Sequence, residues 1–455
     1  MRKDKNISSI GFIILLVVLI SAVVYVYTSS MFEREAPKVA MTNNGYWNLR
    51  EPLEISIDDV SGMKSYRVVL RTTNDDIELF HEQFLAPQKS IKIKVVAPKS
   101  AYSLGNKDVK IIVEAVDVSK WNFFNGNRAT VEYALRVDKS RPELLNITNS
   151  YKINRGGSAL VIFKAKDENL KNMYIEISSG KKFIPQPFYK DGYYISLIAW
   201  PITDEHFRAT IVVEDHAKNI SKVQVPLYVV DKAYDLSNIK LEDNFLKGKI
   251  LELAEQFDET QGVTDSIEQF KLINETVRAK NEKLIHTITS KVSNKMISDF
   301  KVEPMYPLKN GAVVAKYGDH RKYYYNDVFV SEAYHMGLDL ASNAFADIKT
   351  QNGGEIVFSD NNGLYGNMPI VDHGLGLYTL YGHCSSVKVK IGDSVKYDDV
   401  LAITGKSGYA MGDHLHFGVL VQGIEVRPAE WMDESWMKLN LYDVIKNAKE
   451  MIDSK

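Results

Sequence analysis

The sequence predicts a multidomain, mainly β chain behind one N-terminal membrane-spanning helix. Three observations carry this. A basic start, "MRKDK", precedes an apolar run without charge, Ile10 to Tyr27. Short segments alternating between apolar and polar residues fill the chain from about Pro37 to Lys232 and return in the C-terminal third. Between them, from about Leu236 to Ile297, apolar residues recur at helical spacing. A length of 455 residues corresponds to about three domains at ~150 residues each.

Taken in order, residues 1–9 read as a basic cytoplasmic tail and 10–28 as a transmembrane signal anchor. The apolar run would span ~27 Å as a helix, close to the ~30 Å hydrocarbon core. A cleaved signal peptide has a shorter apolar region, roughly 7–15 residues, and an A-x-A-like site, which this run lacks. Basic residues before the helix keep the N-terminus inside, so the bulk of the chain is expected outside the cytoplasm. Residues 36–139 and 140–232 read as two tandem Ig-like β-sandwiches joined near Asp138–Pro142. Segments such as "SYRVVLRTT", "VKIIVEAVDV" and "ATIVVEDHA" are the candidate strands. A weak repeat, "IIVEAVDVSKW…ALRVDKSRPE" against "TIVVEDHAKNI…LYVVDKAYDL", supports two copies. Such domains serve as spacers, as modules binding protein partners, or as covers over a site. Residues 236–300 read as a helical linker broken at Gln261-Gly262, with Ile267, Phe270, Leu272, Ile273 and Val277 as its packing stripe. Residues 301–432 form a β-rich C-terminal domain, and 433–455 a tail with an amphipathic helix, "LYDVIKNAKEMI".

Composition excludes several classes. A net charge of −2 and no G-x-x-x-x-G-K-[ST] loop give no reason to expect nucleic acid or a nucleotide. One cysteine, Cys384, forbids an internal disulfide and a thiolate-rich structural metal site.

The chemistry concentrates near the C-terminus. In "GDHLHFGV" an extended backbone would point His414 and His416 the same way, ~6–7 Å apart at ~3.3 Å per residue. Alone, such a pair is as well explained by half-buried strand histidines. Partners exist upstream. "HMGLD" supplies His335 and Asp339, which share a face on a strand, with Gly337 between them leaving room for an ion. "LYGHCS" supplies His383. Two imidazoles and a carboxylate suit catalytic zinc, which keeps a fourth position open. Further histidines are then free to move protons or meet an oxyanion. Spacing does not say which residue takes which role.

The order of these motifs does more. "HMGLDLA", "NGGEIVFSDNNGLYGNMPIVDHGLGLYTLYGHCS", "VKIGDSVKYDDVLAITGKSG" and "GDHLHFGVLVQGIEVRPAEW" resemble the lysostaphin/LytM-type zinc metalloendopeptidases, which cut peptide cross-links in bacterial peptidoglycan. The resemblance runs from about Pro304 to Trp431, under a third of the chain. It implies His335, Asp339 and His416 as ligands of one Zn2+ per chain, and His383 and His414 as the catalytic histidines. It implies peptidoglycan stem peptides or cross-bridges as partners, at the outer side of a bacterial inner membrane. Asp413 stands where the family usually has proline, and Cys384 where leucine is common. His373 is expected to hold structure by hydrogen bonds, His320 to lie in a loop or rim, and Cys384 to be a small buried hydrophobe. His81, His206, His216 and His286 read as ordinary surface or core residues. The competing expectation is a non-catalytic envelope protein that uses the same fold to bind cell wall and regulate another hydrolase. If the upstream domains hold the enzyme latent, a fragment starting near Lys301 should exceed the longer chain in activity.

Overall fold

The computed structural model describes residues 4–104 and 107–454. A helix, Asp4–Thr28, opens the chain, and its stretch Ile10–Thr28 has a mean hydropathy of 2.8. It is a candidate membrane span or signal sequence by length and composition.

The rest divides into two compact units. The first holds the described residues up to Pro142, with Asn169–Lys171 and Glu214–Ile220. Its strands join one six-stranded sheet in the order Lys38–Met41, Leu53–Arg71, Asp108–Asp117, Arg128–Val137, Tyr46–Trp47, with Asp76–Val95 paired to Leu53–Arg71. The alternation read from the sequence is an alternation of burial. Ile55, Ile57, Val68, Leu70, Ile111 and Val113 point into one core.

The second unit contains most of the second sandwich and everything after it. One sheet of that sandwich runs Gln186–Pro187, Tyr193–Ala199, Ser158–Lys166, Glu143–Asn149. The other runs Lys182–Phe183, Leu170–Ile177, Ala209–Asp215, Ile220–Gln224. Its turns and strand ends are tied directly to the C-terminal domain. The Gln422 amide accepts from Ile184 N at 2.7 Å and donates to Ile184 O at 3.0 Å. The Glu430 carboxylate accepts from Asn154 Nδ2 at 2.7 Å and Ser158 N at 3.1 Å.

The C-terminal domain is built on an eight-stranded sheet. Its order is Ala312–Ala315, Leu338–Ala341, Leu415–Val421, Leu377–Gly382, Asn367–Asp372, Gly354–Asn361, Ser394–Val395, with Ile424–Val426 added to Leu415–Val421. Leu415–Val421 is buried at every position, as the near-continuous apolar run "LHFGVLV" requires of a central strand.

The linker differs from its expected form at its start. Leu236–Lys240 is not helical. It pairs in parallel with His320–Tyr324 and extends the His320–Tyr325/Val328–Tyr334 hairpin. "LSNIK" alternates, has no helix cap, and meets a free strand edge, so pairing wins over local helix propensity. Helix follows at 243–254, then a break with Gly262 at φ +79°, then helix from Ser266 to Thr289 through one π-turn at Ile273–Val277. The linker is not a free tether. Phe270, Ile273 and Val277 of its predicted stripe pack with Leu246, Leu253, Tyr323 and Leu364 in one buried cluster. Ile285 joins a second, with Tyr365, Met368 and Tyr378.

A fragment starting at Lys301 therefore discards half of a shared core and the strand beside His320–Tyr325. It should unfold at a lower temperature than the full chain, and show lower rather than higher activity. Phe270→Ala, at a side chain with no exposure, should cost about 3–5 kcal/mol in denaturant unfolding. A fragment equal to the full chain in stability would show that this packing contributes little.

Candidate metal centre

The sheet register builds the centre. In antiparallel pairing Asp339 lies opposite His416, and His416 lies opposite Gly382 on its other side. His383 follows directly. One short row across three strands thus carries a carboxylate, an imidazole and the entry to a second imidazole. His335 comes from the turn between Val328–Tyr334 and Leu338–Ala341, not from the same strand as Asp339. The backbone of His335 stays bonded to the residues just before His320–Tyr325, the partner of Val328–Tyr334, so His335 belongs to that hairpin's end. Its N–H donates to Asp319 O at 2.9 Å, and its carbonyl accepts from Gly318 N at 2.7 Å.

Gly337 makes room for a different group than the sequence suggests. A Cβ at Gly337 would lie 2.5 Å from Cε1 and Nε2 of His416. The missing side chain is space for the His416 ring rather than for an ion.

His335 Nε2 lies 3.0 Å from Asp339 Oδ1 and 3.2 Å from His416 Nδ1, which is itself 2.8 Å from Asp339 Oδ1. The three residues are 7%, 9% and 6% exposed. Donors held tetrahedrally ~2.0–2.1 Å from a zinc ion are about 3.3 Å apart, so this triangle is close to the size the ion needs. The outer contact fits as well. His335 Nδ1 lies 2.8 Å from Lys316 O, which fixes one proton there and turns Nε2 inward, to share a second proton with Asp339 or, without that proton, to offer its lone pair to an ion. Burial alone would raise the pKa of Asp339. Hydrogen bonds from His335 and His416, and their charges, outweigh it and hold the carboxyl well below the usual range.

His383 and His414 flank the triangle. The His383 ring centroid is 4.8 Å from that of His414 and 5.7 Å from that of His416. His414 Nε2 is 3.7 Å from Asp339 Oδ2. Each has its Nδ1 against a backbone carbonyl, Ser407 O at 2.9 Å for His383 and Gly412 O at 2.9 Å for His414. Each therefore keeps Nε2 as the acceptor. Burial, with the neighbouring His416 and His414 rings, pushes the His383 pKa down to about 3. Burial also lowers that of His416, against the pull of Asp339.

Two backbone features position His383. Its own φ is +65°, a left-handed conformation rare for a residue with a side chain. The strand Leu377–Gly382 ends one residue before His383. Its carbonyl partner Ser407 precedes Gly408, at φ +68°, where a Cβ would come within 2.4 Å of Gly366 N. Only glycine lets those two chain segments meet.

The remaining sequence readings fall out as follows. His373 bonds at both nitrogens, 2.8 Å from Gly353 O and 2.8 Å from Thr379 Oγ1. Burial lowers its pKa to about 4. Cys384 is fully buried, with Sγ 3.1 Å from Tyr381 O. His320 is in a strand, not a loop, stacked on Tyr334 at 4.3 Å. Asp413 accepts from Phe345 N at 3.2 Å rather than touching the His414 ring nitrogens. His286 pairs with Glu425 at 2.8 Å. Among the described residues, no other histidine lines the cleft of about 800 Å³ around the centre. Sequence reasoning missed the linker's part in that cleft. Lys240, Phe245, Lys249 and Arg278 line it with Tyr365 and Tyr409.

Comparison with known proteins agrees with the motifs. Residues 333–428 match Peptidase family M23. They form an M23 domain. Over 94 residues the chain is 32% identical to the DD-carboxypeptidase/endopeptidase Mpg of Neisseria meningitidis, covering 21% of this chain and 22% of that protein. Over 89 residues it is 32% identical to the peptidoglycan DD-endopeptidase ShyA of Vibrio cholerae, covering 20% and 21%. Over 108 residues it is 28% identical to the murein hydrolase activator EnvC of Escherichia coli, covering 24% and 26%. The chain thus spans about a quarter of the length of these relatives.

Gly337→Ala tests the close approach at the centre of the M23 domain. The added methyl should displace the His416 ring and weaken binding of a divalent metal about 10- to 100-fold, the range for disturbing a ligand's support. Competition with a chromophoric chelator reads this directly. Unchanged affinity in a folded variant would place the ion-binding atoms elsewhere.

Proposed function

We propose that this protein is a membrane-anchored, zinc-dependent endopeptidase that hydrolyses the peptide cross-links of bacterial peptidoglycan. The observation that carries the reading is the convergence of five side chains on one cleft. His335, Asp339 and His416 meet within hydrogen-bonding distance, with His383 and His414 beside them.

In this reading His335 Nε2, an Asp339 oxygen and His416 Nδ1 hold the zinc. When bound, it supplies a Lewis acid and makes a water acidic enough to yield hydroxide near neutral pH. The chain's own residues do the rest. His383 and His414, with Nδ1 protons held by Ser407 O and Gly412 O, present Nε2 to the reacting atoms. Between them they accept a proton from the nucleophile and return one to the leaving amine, or donate to the developing oxyanion. Phe245, Tyr365 and Tyr409 among others give the cleft an apolar part of its lining, where such contacts are stronger than in water. The Asp4–Thr28 helix serves as an uncleaved anchor with the bulk of the chain on the periplasmic or cell-wall side. The cross-link between D-Ala and meso-diaminopimelate is the favoured bond, with a glycine bridge as the other.

A second reading has a specific support, the likeness to an activator of murein hydrolases. There the M23 domain would bind a partner without cutting. A complete set of five residues favours the enzyme.

The test uses the full chain in detergent and purified cross-linked sacculi. One zinc per chain is expected, with peptide release abolished by a chelator and by His416→Ala. His383→Ala should keep the zinc while lowering cleavage by about 10²- to 10⁴-fold, the range for losing a general acid–base. Product masses name the bond. Zinc without release of peptide from any wall type would favour the activator.

A further inference from the structure

The wall of the cleft opposite the M23 sheet residues comes from the preceding segment, which supplies Lys240, Glu242, Lys249 and Arg278. Three cations stand there against one carboxylate. Lys249 is paired with Glu252 at 3.2 Å, with 13% of its side chain exposed. Arg278 is different. Among the described residues no carboxylate lies within 4 Å of its guanidinium, although the side chain is half-buried. Its fixed contacts are to Asn274, whose carbonyl accepts from Nε at 3.1 Å and whose Oδ1 accepts from Nη2 at 2.9 Å.

Asn274 is itself 2% exposed, and its Nδ2 donates to Ser331 Oγ at 2.9 Å and Glu332 O at 3.2 Å. A buried amide thus clamps one edge of the guanidinium. The Tyr409 ring faces it at 6.0 Å to the centroid. Among the described residues, the hydrogen-bond acceptors of the Arg278 guanidinium are those two oxygens of Asn274, on Nε and Nη2. Arginine is the residue whose planar fork matches a carboxylate with two parallel bonds. A partly desolvated guanidinium without an anion is an expensive arrangement unless an anion arrives. Glu282, one helical turn on, feels the charge of Arg278 but makes no ion pair with it: burial pushes its pKa up to about 7, against the pull of Arg278. The charge of Arg278 also reaches Tyr365, whose ring meets His416 at 5.4 Å. Arg278 therefore lies on the same cleft as the reacting atoms.

We infer that Arg278 is a specificity-determining carboxylate receptor, fixed by Asn274 and Tyr409, which selects peptide substrates bearing a free carboxylate over those in which it is amidated. That the ligand is a cross-linked stem peptide rests on the peptidase reading above. The carboxylate itself has several sources in such a peptide: the glutamyl residue, the diaminopimelate side chain, or a terminal D-alanine.

The test separates the sources and separates binding from cleavage. A set of fluorescent cross-linked muropeptides carries each of the three carboxylates in turn as the carboxamide. Binding is read by anisotropy with the metal-depleted full chain, and kcat/KM with the zinc-loaded chain. The parent should prefer the free acid at one of the three positions by about 10- to 100-fold, the worth of one charge-assisted bidentate pair. Arg278→Gln should abolish that ratio while leaving the unfolding midpoint and zinc content unchanged, and Arg278→Lys should restore part of it. A purely structural role predicts equal losses on acid and amide peptides, and would overturn the inference. So would a parent that binds all the peptides alike. If the ratio follows Arg278 in binding while no peptide is cut, the peptidase reading fails and the receptor stands. If cutting proceeds without discrimination, the reverse holds.

Discussion

Asp339 faces His416 across one antiparallel ladder, and Gly382 faces His416 across the next. The rest of the centre depends on that register. Side chains alternate on a strand, so a slip of one residue would turn His416 to the opposite face and bring Leu415 or Phe417 to Asp339. The register is protected because Leu415–Val421 is buried at every position and paired on both sides. Leu415 and Phe417, on the face away from the cleft, are themselves fully buried. The polar cluster is therefore aligned by apolar packing on the reverse of the same strand. Local irregularities are then confined to the residues that must leave the row: His335 in a turn, and His383 in a left-handed conformation directly after Gly382.

A second constraint acts through the segment before the M23 domain. Its helices bury Phe270, Ile273 and Val277 against Tyr323 and Leu364, and its strand Leu236–Lys240 completes a three-stranded sheet. Leu364 is followed by Tyr365, which packs its ring against His416. Hydrophobic contacts that stabilise the linker thus end one residue from the centre. The linker is part of the body that carries the cleft. Its removal would open the cleft by removing a wall, which differs from lifting a cover.

Much of this was legible in the sequence. The apolar N-terminal run, the strand periodicity and the helical stripe were read from spacing, and the five site residues from motifs in a specific order. The structure brings all five together. What spacing could not give was backbone conformation at the site. "HMGLD" is compatible with a strand carrying both His335 and Asp339, but the fold bonds His335 to the end of one hairpin and pairs Asp339 in another sheet. Gly337 was recognised as space, but the occupant of that space, the His416 ring, belongs to a strand about 80 residues away. The strand at Leu236–Lys240 was missed for the same reason: five residues of weak propensity take the structure of whatever edge they meet. Arg278 carries no local mark at all. On the helix it is one cation among several, and only the fold shows that it lines the cleft and that, among the described residues, it has no ion-pair partner.

The joint between the second sandwich and the M23 domain rests on buried polar groups rather than on an apolar patch alone. Glu430 is 2% exposed and accepts from Asn154 and Ser158 N, and burial raises its pKa. Gln422 is 2% exposed and satisfied by three backbone groups of the sandwich. Such groups add little net stability, because their desolvation offsets most of what their bonds return. They are costly in any arrangement that leaves them unpaired. Their effect is on geometry: sliding or rotating the sandwich would strand a carboxyl and an amide in the interior. Gly157 allows the contact, since a Cβ there would lie 2.6 Å from the Glu430 carboxylate. A passive spacer needs no such fit. Glu430 closes the helical turn Pro428–Trp431 that follows Ile424–Val426, and that strand pairs directly with the strand bearing His416. The second sandwich is thus registered, through one buried carboxyl and two short elements, to the strand that carries His416 of the candidate metal centre.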